Sequence, residues 1–165
     1  MPVANNVTRL LDSRKIRYTA FELPAEKLGA RETARRLDVP LEQVFKTIVA
    51  RRDKPGKPIL AVIPGISALD LKALAAAINE KKVHLTTQRE AEQLSGLQAG
   101  GISPLALINK GFQVVIDSSA QSFSEIHVSG GQRGLNLRLS PTDLAKLTNA
   151  RFAPIAGGES ETDTD

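Results

Sequence analysis

The longest apolar runs in the sequence have the composition of β-strands. Residues 44–51 (VFKTIVAR) and 58–63 (PILAVI) are rich in β-branched side chains, and the Pro55-Gly56 pair between them favours a turn. Alternation along the first run places apolar side chains on both faces, with Lys46 as the charge inside it. We therefore predict a β-hairpin whose first strand lies in the middle of a sheet.

Shorter patterns predict the remaining elements. Further strands are predicted at 18–23, 83–85, 112–116, 124–129 and 135–139, with the turn GGQRG joining the last two as a second hairpin. Helices are predicted at 4–16, 29–37 and 67–78, from Thr87 to Gly96, and from Ser140-Pro141 onward. The last three begin with a Ser or Thr N-cap, and both Ser67 and Thr87 precede an acidic residue by three positions. Strands outnumber helices in an irregular order, which predicts an α+β domain with a mixed sheet.

Composition indicates one globular domain with an acidic end. The 165 residues are 41% apolar and 24% charged, which suits a single domain with a substantial core. The last nine residues, GGESETDTD, contain four carboxylates and no base. We expect one folded domain over residues 1–156 and an acidic, disordered tail over residues 157–165.

The charge of the domain suggests a polyanionic partner without establishing one. The formal net charge of the chain is +4, and leaving out the four carboxylates of the tail raises it to +8. A basic domain suits nucleic acid, but a solvated basic surface with no partner has the same charge. The charge leaves both interpretations open.

Missing residue types exclude several classes of chemistry. The sequence has no cysteine, which excludes disulfides, a cysteine nucleophile and thiolate-bound metal. Its two histidines, His84 and His127, are far apart in predicted strands, so we expect no metal site and structural or surface roles for both. No cofactor motif is found. No apolar run of 18 residues and no signal-peptide core is present, so we expect a soluble cytoplasmic protein without a membrane partner.

Lys46 is the first candidate for a functional role. A lysine in an apolar strand either extends its ammonium group to the margin of the sheet or lies at a pocket. At a pocket, the ammonium group could hold a phosphate or stabilise a developing oxyanion. The strand pattern favours the first interpretation and leaves the second open.

Two glycine-containing loops and one carboxylate are further candidates. Gly100–Pro104 (GGISP) could bring its backbone close to a ligand, although a plain turn is the simpler interpretation. Ser129–Gly134 lacks the phosphate-loop pattern and lies between two strands, which favours a hairpin turn in which Ser129 could still face a pocket. Asp117 ends a predicted strand, where a turn or cap role is expected.

Four motifs together resemble the YbaK/EbsC family of free-standing aminoacyl-tRNA deacylases. They are Phe45-Lys46-Thr47, residues 100–105 (GGISPL), residues 128–135 (VSGGQRGL) and residues 139–144 (LSPTDL). The resemblance runs in order from about residue 3 to residue 155. The family is related to the editing insertion domain of bacterial prolyl-tRNA synthetase. The sequence most resembles the branch that hydrolyses cysteine wrongly attached to proline tRNA.

The resemblance implies a fold and a site. The fold would be a mixed sheet curled into a partly open barrel with helices packed around it. Lys46 would be the residue most closely tied to activity, positioning the terminal adenosine and the ester without forming a covalent bond. Tyr18 or Phe21 would match an aromatic residue on the early strand. The other implied pocket residues are Phe45, Thr47, Gly101, Ile102, Ser103, Pro104, Asp117 and Ser129.

The resemblance also implies a substrate and a mechanism. The expected substrate is the acceptor end of an aminoacyl-tRNA, and the thiol of the attached cysteine would attack its own ester, with no metal or cofactor. Removal of another small amino acid such as alanine stays open, as does a non-catalytic module that binds tRNA or a synthetase. Also open is whether a bound prolyl-tRNA synthetase reads the tRNA.

The sequence departs from the family pattern at three places. His127 stands where an aromatic residue is more often expected, so the pocket wall and specificity could differ. Asn79-Glu80 replaces an expected glycine, and the acidic tail has no expected counterpart.

Overall fold

The computed structural model describes residues 4–159, which form an α+β domain. The helices are α1 (Asn6–Ser13), α2 (Ala30–Leu37), α3 (Leu71–Ala77), α4 (Gln88–Ser95) and α5 (Pro141–Thr148). The strands are β1 (Tyr18–Glu22), β2 (Phe45–Arg52), β3 (Ile59–Pro64), β4 (Ser67–Leu69), β5 (Val83–Leu85), β6 (Gln113–Asp117), β7 (Ile126–Ser129), β8 (Leu135–Leu139), β9 (Arg151–Ala153) and β10 (Ala156–Glu159). Short 3-10 helices cover Leu41–Gln43, Pro104–Lys110 and Ser118–Ser122.

The predicted central hairpin forms the middle of the largest sheet. Strands β2 and β3 pair antiparallel, with Lys46 opposite Ile63. Strand β5 pairs antiparallel with the end of β2, while β6 and β9 extend the other side in parallel. The strands of this sheet are arranged β5-β2-β3-β6-β9. It is a mixed sheet, as the irregular succession of elements along the sequence predicted.

Two smaller sheets complete the β-structure. Strands β1, β8 and β7 form an antiparallel sheet, so the second predicted hairpin is confirmed. Strands β4 and β10 form a two-stranded sheet. A single parallel bridge from Val44 to His127 joins the start of β2 to β7. No sheet within residues 4–159 closes on itself, so the barrel implied by the resemblance is not confirmed.

Apolar layers cover both faces of the central hairpin. Phe45 and Val49 of β2 pack in one buried cluster with α1, α5 and the β7–β8 hairpin. Ala50 and Ile63 pack in a second cluster with α3 and Ile155. Burial on both faces explains why β2 and β3 lack a polar side over most of their length. A charged residue on β2 therefore lies close to the core.

Several predicted boundaries need correction. Ser67 begins strand β4 rather than a helix, and α3 starts at Leu71 because the side chain of Asp70 caps the N–H of Ala73 at 3.0 Å. Strands β9 and β10 were not predicted. Thr87 and Glu90 form the expected capping box, and Ser140 caps α5 as expected.

The boundary expected at residue 156 lies inside a strand. Strand β10 pairs Ala156 with Leu69 and Glu159 with Ser67, so residues 157–159 belong to the sheet rather than to a tail. Residues 160–165, which hold the rest of the predicted tail, lie outside the described residues. None of the described helices is long and apolar enough to cross a membrane.

Asp117 fastens the C-terminal segment to the sheet. Its buried carboxylate accepts hydrogen bonds from the backbone N–H groups of Ile155 and Ala156, each at 2.9 Å, and from the N–H and hydroxyl of Ser119. This confirms the expectation that Asp117 acts as a cap carboxylate. Its hydrogen bonds attach the segment at Ile155 and Ala156 to the end of β6.

We predict that Asp117→Ala lowers the free energy of unfolding by about 3 kcal/mol, because it leaves buried N–H groups without acceptors. Urea denaturation measures the change. Glu22→Ala, which removes an exposed carboxylate, serves as the control and is expected to stay within about 0.5 kcal/mol of the parent. Equal stability of the two variants would contradict the role of Asp117.

Candidate functional site

Lys46 lies at the junction of two cavities. The residue is only 8% exposed, so its side chain does not extend to the margin of the sheet, which was the simpler interpretation of the strand pattern. Lys46, Thr47 and Ile102 line both a small cavity of about 60 Å³ and a larger one of about 350 Å³. The buried ammonium group therefore belongs to a pocket, as the second interpretation proposed.

The small cavity is lined by the loop at Gly100 and Ile102 and by three other parts of the chain. The first is the start of β2, where Phe45 joins Lys46 and Thr47. The second is the segment from Leu23 to Thr33, which precedes and begins α2. The third is the β7–β8 hairpin, with Ser129 and Asn136.

The large cavity lies between the sheet and α4. Ser67–Leu69 of β4 form one wall, and Thr86–Gln88 and Ala91 at the start of α4 form another. Lys46 is the one charged side chain among its lining residues within the described chain. The Nζ atom of Lys27 donates a 2.8 Å hydrogen bond to Oε1 of Gln88, which links the segment over the small cavity to α4.

The loop Gly100–Pro104 contributes to the site in two ways. Gly100, at φ +89°, lines the small cavity, and Ile102 lines both cavities. Gly101, Ser103 and Pro104 line neither cavity, and their contribution is to the conformation of the loop. The wholly buried Ser103 accepts a 3.1 Å hydrogen bond from the N–H of Leu105 and so caps the following 3-10 helix.

Close packing holds this loop against the turn of the second hairpin. A Cβ atom on Gly101 would lie 3.0 Å from Cα of Gln132 and 3.1 Å from the backbone nitrogen of Arg133. Nε of Arg133 also donates to the carbonyl of Ala99 at 2.6 Å. Glycine at position 101 is therefore required by the neighbouring backbone rather than by its own dihedral angles.

The turn itself is a structural hairpin turn, as its position between two strands predicted. Nδ2 of Asn5 donates to the carbonyl of Gly130 at 2.9 Å and to Oε1 of Gln132 at 3.1 Å. Oγ of Ser129 accepts a hydrogen bond from the N–H of Gly131 at 3.2 Å while Ser129 lines the small cavity.

Some predicted positions lie elsewhere. Asp117 lines neither cavity, since its carboxylate binds the C-terminal segment. Tyr18 lines neither and donates from its hydroxyl to Asp12 at 2.9 Å. His84 also lies outside both cavities and contacts Asp53 at 2.8 Å. The structure thus brings Phe45, Lys46, Thr47, Ile102 and Ser129 together, and their roles toward a substrate stay predictions.

Asn136 is a cavity residue that the sequence analysis missed. It is buried, pairs with Ser129 in the β7–β8 register, and accepts a 2.8 Å hydrogen bond at Oδ1 from Nδ1 of His127. A signal was available in the alternation of the hairpin, because residues 127, 129, 136 and 138 are polar between buried apolar neighbours. His127 itself is wholly buried, and its ring packs 5.6 Å from the ring of Phe21.

The arginines of α2 are partly neutralised within the helix. Arg35 and Arg36 both donate to Glu32, with contacts of 2.6 Å, and these bonds lower the pKa of Glu32 to about 2. The arginine-rich surface of α2 therefore contains a carboxylate that stays charged at physiological pH.

The comparison with protein families covers the region that builds both cavities. The family described as "Aminoacyl-tRNA editing domain" matches residues 25–147. The chain belongs to this family. The match contains Lys46, the loop Gly100–Pro104 and the whole β7–β8 hairpin.

Individual relatives of the editing domain agree with this assignment. An Enterococcus faecalis protein named "Putative Cys-tRNA(Pro)/Cys-tRNA(Cys) deacylase EbsC" is 36% identical over 156 residues, covering 93% of this chain and 94% of that protein. The crystal structure of "hypothetical protein APE2540" has a TM-score of 0.84 at 23% identity, covering 93% of this chain and all of that one. The crystal structure of "a putative trans-editing enzyme for prolyl tRNA synthetase" has a TM-score of 0.77 at 24% identity, with 94% and 99% coverage. The two structures show that the fold is shared.

The buried histidine predicts a pH dependence of stability. Burial lowers the pKa of His127 from its ordinary value of 6.5, and the charge of Arg138 adds to this, against the opposing effects of Asn136 and Glu125. The unfolded chain then binds a proton at a higher pH than the folded one, so stability falls as pH drops below about 6.5.

We expect His127→Phe to lose less stability than the parent protein when the pH drops from 7.5 to 5. Urea denaturation at both pH values measures the free energy of unfolding. His84→Gln, at the half-buried histidine that lies outside both cavities, is the control and is expected to keep the parent dependence on pH. If the stability of His127→Phe depends on pH as strongly as that of the parent protein, burial of His127 does not cause the pH dependence.

Proposed function

We propose that the protein is a trans-editing deacylase that removes a wrongly attached amino acid, cysteine in the first place, from tRNA(Pro). The observation that supports this most is the position of Lys46, buried where two cavities meet inside an aminoacyl-tRNA editing domain. The name of the 36% identical relative supports the same substrate. The basic charge of the domain suits the acceptor end of a tRNA.

The sizes of the two cavities suggest which part of the substrate each one binds. The small cavity, at about 60 Å³, has room for a small aminoacyl group but not for a large side chain. The large cavity, at about 350 Å³, has room for a terminal nucleoside. We assign the ester between them to the position of Lys46, which lines both.

Neither histidine is placed to act as a base on this ester. Nδ1 of His127 bonds to Asn136 and its Nε2 atom is buried, while His84 lies outside both cavities. The sequence contains no cysteine that could form a covalent intermediate. A reaction in which the substrate supplies the nucleophile fits these residues.

In the proposed reaction, the sulfur of the attached cysteine attacks the carbonyl carbon of its own ester. The bond from that carbon to the ribose oxygen breaks, and this oxygen takes up the proton that the thiol loses. The products are a cyclic thiolactone and free tRNA. The protein must fold the aminoacyl group into a reactive geometry, and such orientation contributes about 7–11 kcal/mol in the best intramolecular cases.

Lys46 would stabilise the negative charge that develops on the carbonyl oxygen. An ammonium group in a buried site is effective at this, because little water screens its charge. The backbone of the loop at Gly100 and Ile102 lies beside the same cavity and could hold the aminoacyl group in place.

Two finer points belong to the same proposal. The bridge between Val44 and His127 supports the implied curl of the sheets toward a partly open barrel, with the small cavity beside the junction. A bound prolyl-tRNA synthetase would present the tRNA, which suits a small domain whose cavities have room for little more than the aminoacylated end.

We predict that Lys46→Ala lowers the deacylation of cysteinyl-tRNA(Pro) at least about 100-fold, as expected for the loss of charge stabilisation at the reacting oxygen. Release of the amino acid at micromolar protein measures this, and circular dichroism checks the fold. Lys72→Ala, at an exposed lysine of α3, is the matched control and is expected to keep full activity. Full activity of Lys46→Ala would show that the assigned role is wrong.

We also expect the parent protein to deacylate cysteinyl-tRNA(Pro) at least about tenfold faster than alanyl-tRNA(Pro) or seryl-tRNA(Pro), because only the first has a thiol. Mass spectrometry of the released product is expected to detect the thiolactone or its hydrolysis product. Alanine released equally fast would favour the alternative of a deacylase for another small amino acid. Equal binding of charged and uncharged tRNA without release of any amino acid would favour a non-catalytic module.

A further inference from the structure

A buried hydrogen bond lies directly behind the small cavity. His127 of β7 and Asn136 of β8 occupy the same face of the hairpin, and Nδ1 of the histidine lies 2.8 Å from Oδ1 of the asparagine. His127 is wholly buried and does not line the cavity, whereas Asn136 does. The imidazole ring therefore meets the lining of the cavity through its hydrogen bond to the asparagine.

The hydrogen bond assigns the proton of the imidazole ring. The Oδ1 atom of Asn136 is an acceptor only, so Nδ1 of His127 must be the donor. The Nε2 atom has no hydrogen-bond partner within residues 4–159 and is shielded from solvent. Burial lowers the pKa of His127, so the ring is neutral at physiological pH with its one proton on Nδ1.

The ring of His127 is held in place from several sides. The ring of Phe21 packs against it with centroids 5.6 Å apart, and the guanidinium of Arg138 lies 5.3 Å from the centroid of Phe21. The backbone of His127 also bridges to Val44, next to the start of β2. An imidazole fixed in this way fixes the direction of the hydrogen bond that it donates.

This bond determines which end of the Asn136 amide a ligand can meet. The oxygen is engaged by His127, and the Nδ2 amino group makes no hydrogen bond to another residue in the described part of the chain. Because the oxygen faces His127, the end of the amide that points away from the histidine is the Nδ2 donor. Lys46, which lines the same cavity, also presents only donors.

We propose that His127 is a positioning residue that orients Asn136, so that the amino group of Asn136 donates a hydrogen bond to the carbonyl oxygen of the bound ester beside Lys46. The inference rests on the proposed deacylase function. It adds a second donor to the charge of Lys46 at the oxygen where negative charge develops. A histidine that carried no such role would be better replaced by an apolar side chain, since its Nε2 atom is buried without a partner.

The first test determines which nitrogen of His127 carries the proton, and it does not depend on enzymatic activity. Nitrogen-15 NMR of the parent protein at pH 7 is expected to show a protonated Nδ1 and an unprotonated Nε2 in His127. In Asn136→Leu, the Nδ1 signal is expected to shift because the acceptor is lost. A proton on Nε2 in the parent protein would overturn the inference.

The second test is a double-mutant cycle on the deacylation of cysteinyl-tRNA(Pro). Asn136→Leu keeps the size of the side chain and removes the donor, and we expect kcat to fall about 100-fold. His127→Phe keeps a ring against Phe21 and removes the orienting bond, and we expect kcat to fall about tenfold with KM within about twofold. Because both changes act on one hydrogen bond to the ester, the double variant is expected to match Asn136→Leu alone.

The outcomes separate this inference from its alternatives. Asn136→Asp, which keeps the acceptor for His127 but has no amino group, is expected to lose activity as Asn136→Leu does. Effects that multiply in the double variant, or full activity in Asn136→Asp, would overturn the positioning role. Absence of turnover in the parent protein would instead contradict the proposed function, and the NMR result would still decide the state of His127. Urea denaturation of each variant identifies any loss that comes from unfolding.

Discussion

The burial of one ammonium group in a central β-strand is the constraint on which the site depends. Lys46 lies between apolar layers on both faces of β2, where a charge is costly unless polar groups surround it. Polar groups reach this point both from β2 itself and from a distant part of the chain. Thr47 comes from the same strand, and Ser129 and Asn136 come from the second hairpin. The cavities and the polar side of that hairpin thus give the lysine surroundings that the apolar layers alone would not provide.

The meeting of two loops gives these groups a fixed geometry. The loop at Gly101 packs so closely on the backbone of Gln132 and Arg133 that a Cβ atom at position 101 would lie about 3 Å from it, which leaves no room for a side chain. Arg133 ties the turn to Ala99, and Asn5 binds its other side. Such contacts keep the walls of the small cavity in place. A site that works by orientation needs this rigidity more than it needs reactive side chains.

Local patterns predicted much of the fold, and contacts between distant residues account for what they missed. Both hairpins and the caps at Thr87 and Ser140 follow from neighbouring residues, and all were confirmed. The predicted start of α3 was wrong because Ser67 lies in a strand that pairs with β10, far along the chain. Asp117 was placed in the pocket by resemblance, but its acceptor atoms meet N–H groups 38 and 39 residues away. Asn136 could have been found from the hairpin register, which the pattern had already implied.

A small cavity cannot by its size alone separate cysteine from alanine or serine. Side chains smaller than the one a pocket fits also enter it, and a difference of one group is worth only about 1–3 kcal/mol of binding. In the proposed reaction the discrimination comes from the substrate, because an amino acid without a thiol can occupy the cavity and remain attached. Proline, the correct amino acid, has no thiol and is spared for the same reason. An enzyme without its own nucleophile is then selective because it holds the ester in position and leaves the attack to the amino acid that must be removed.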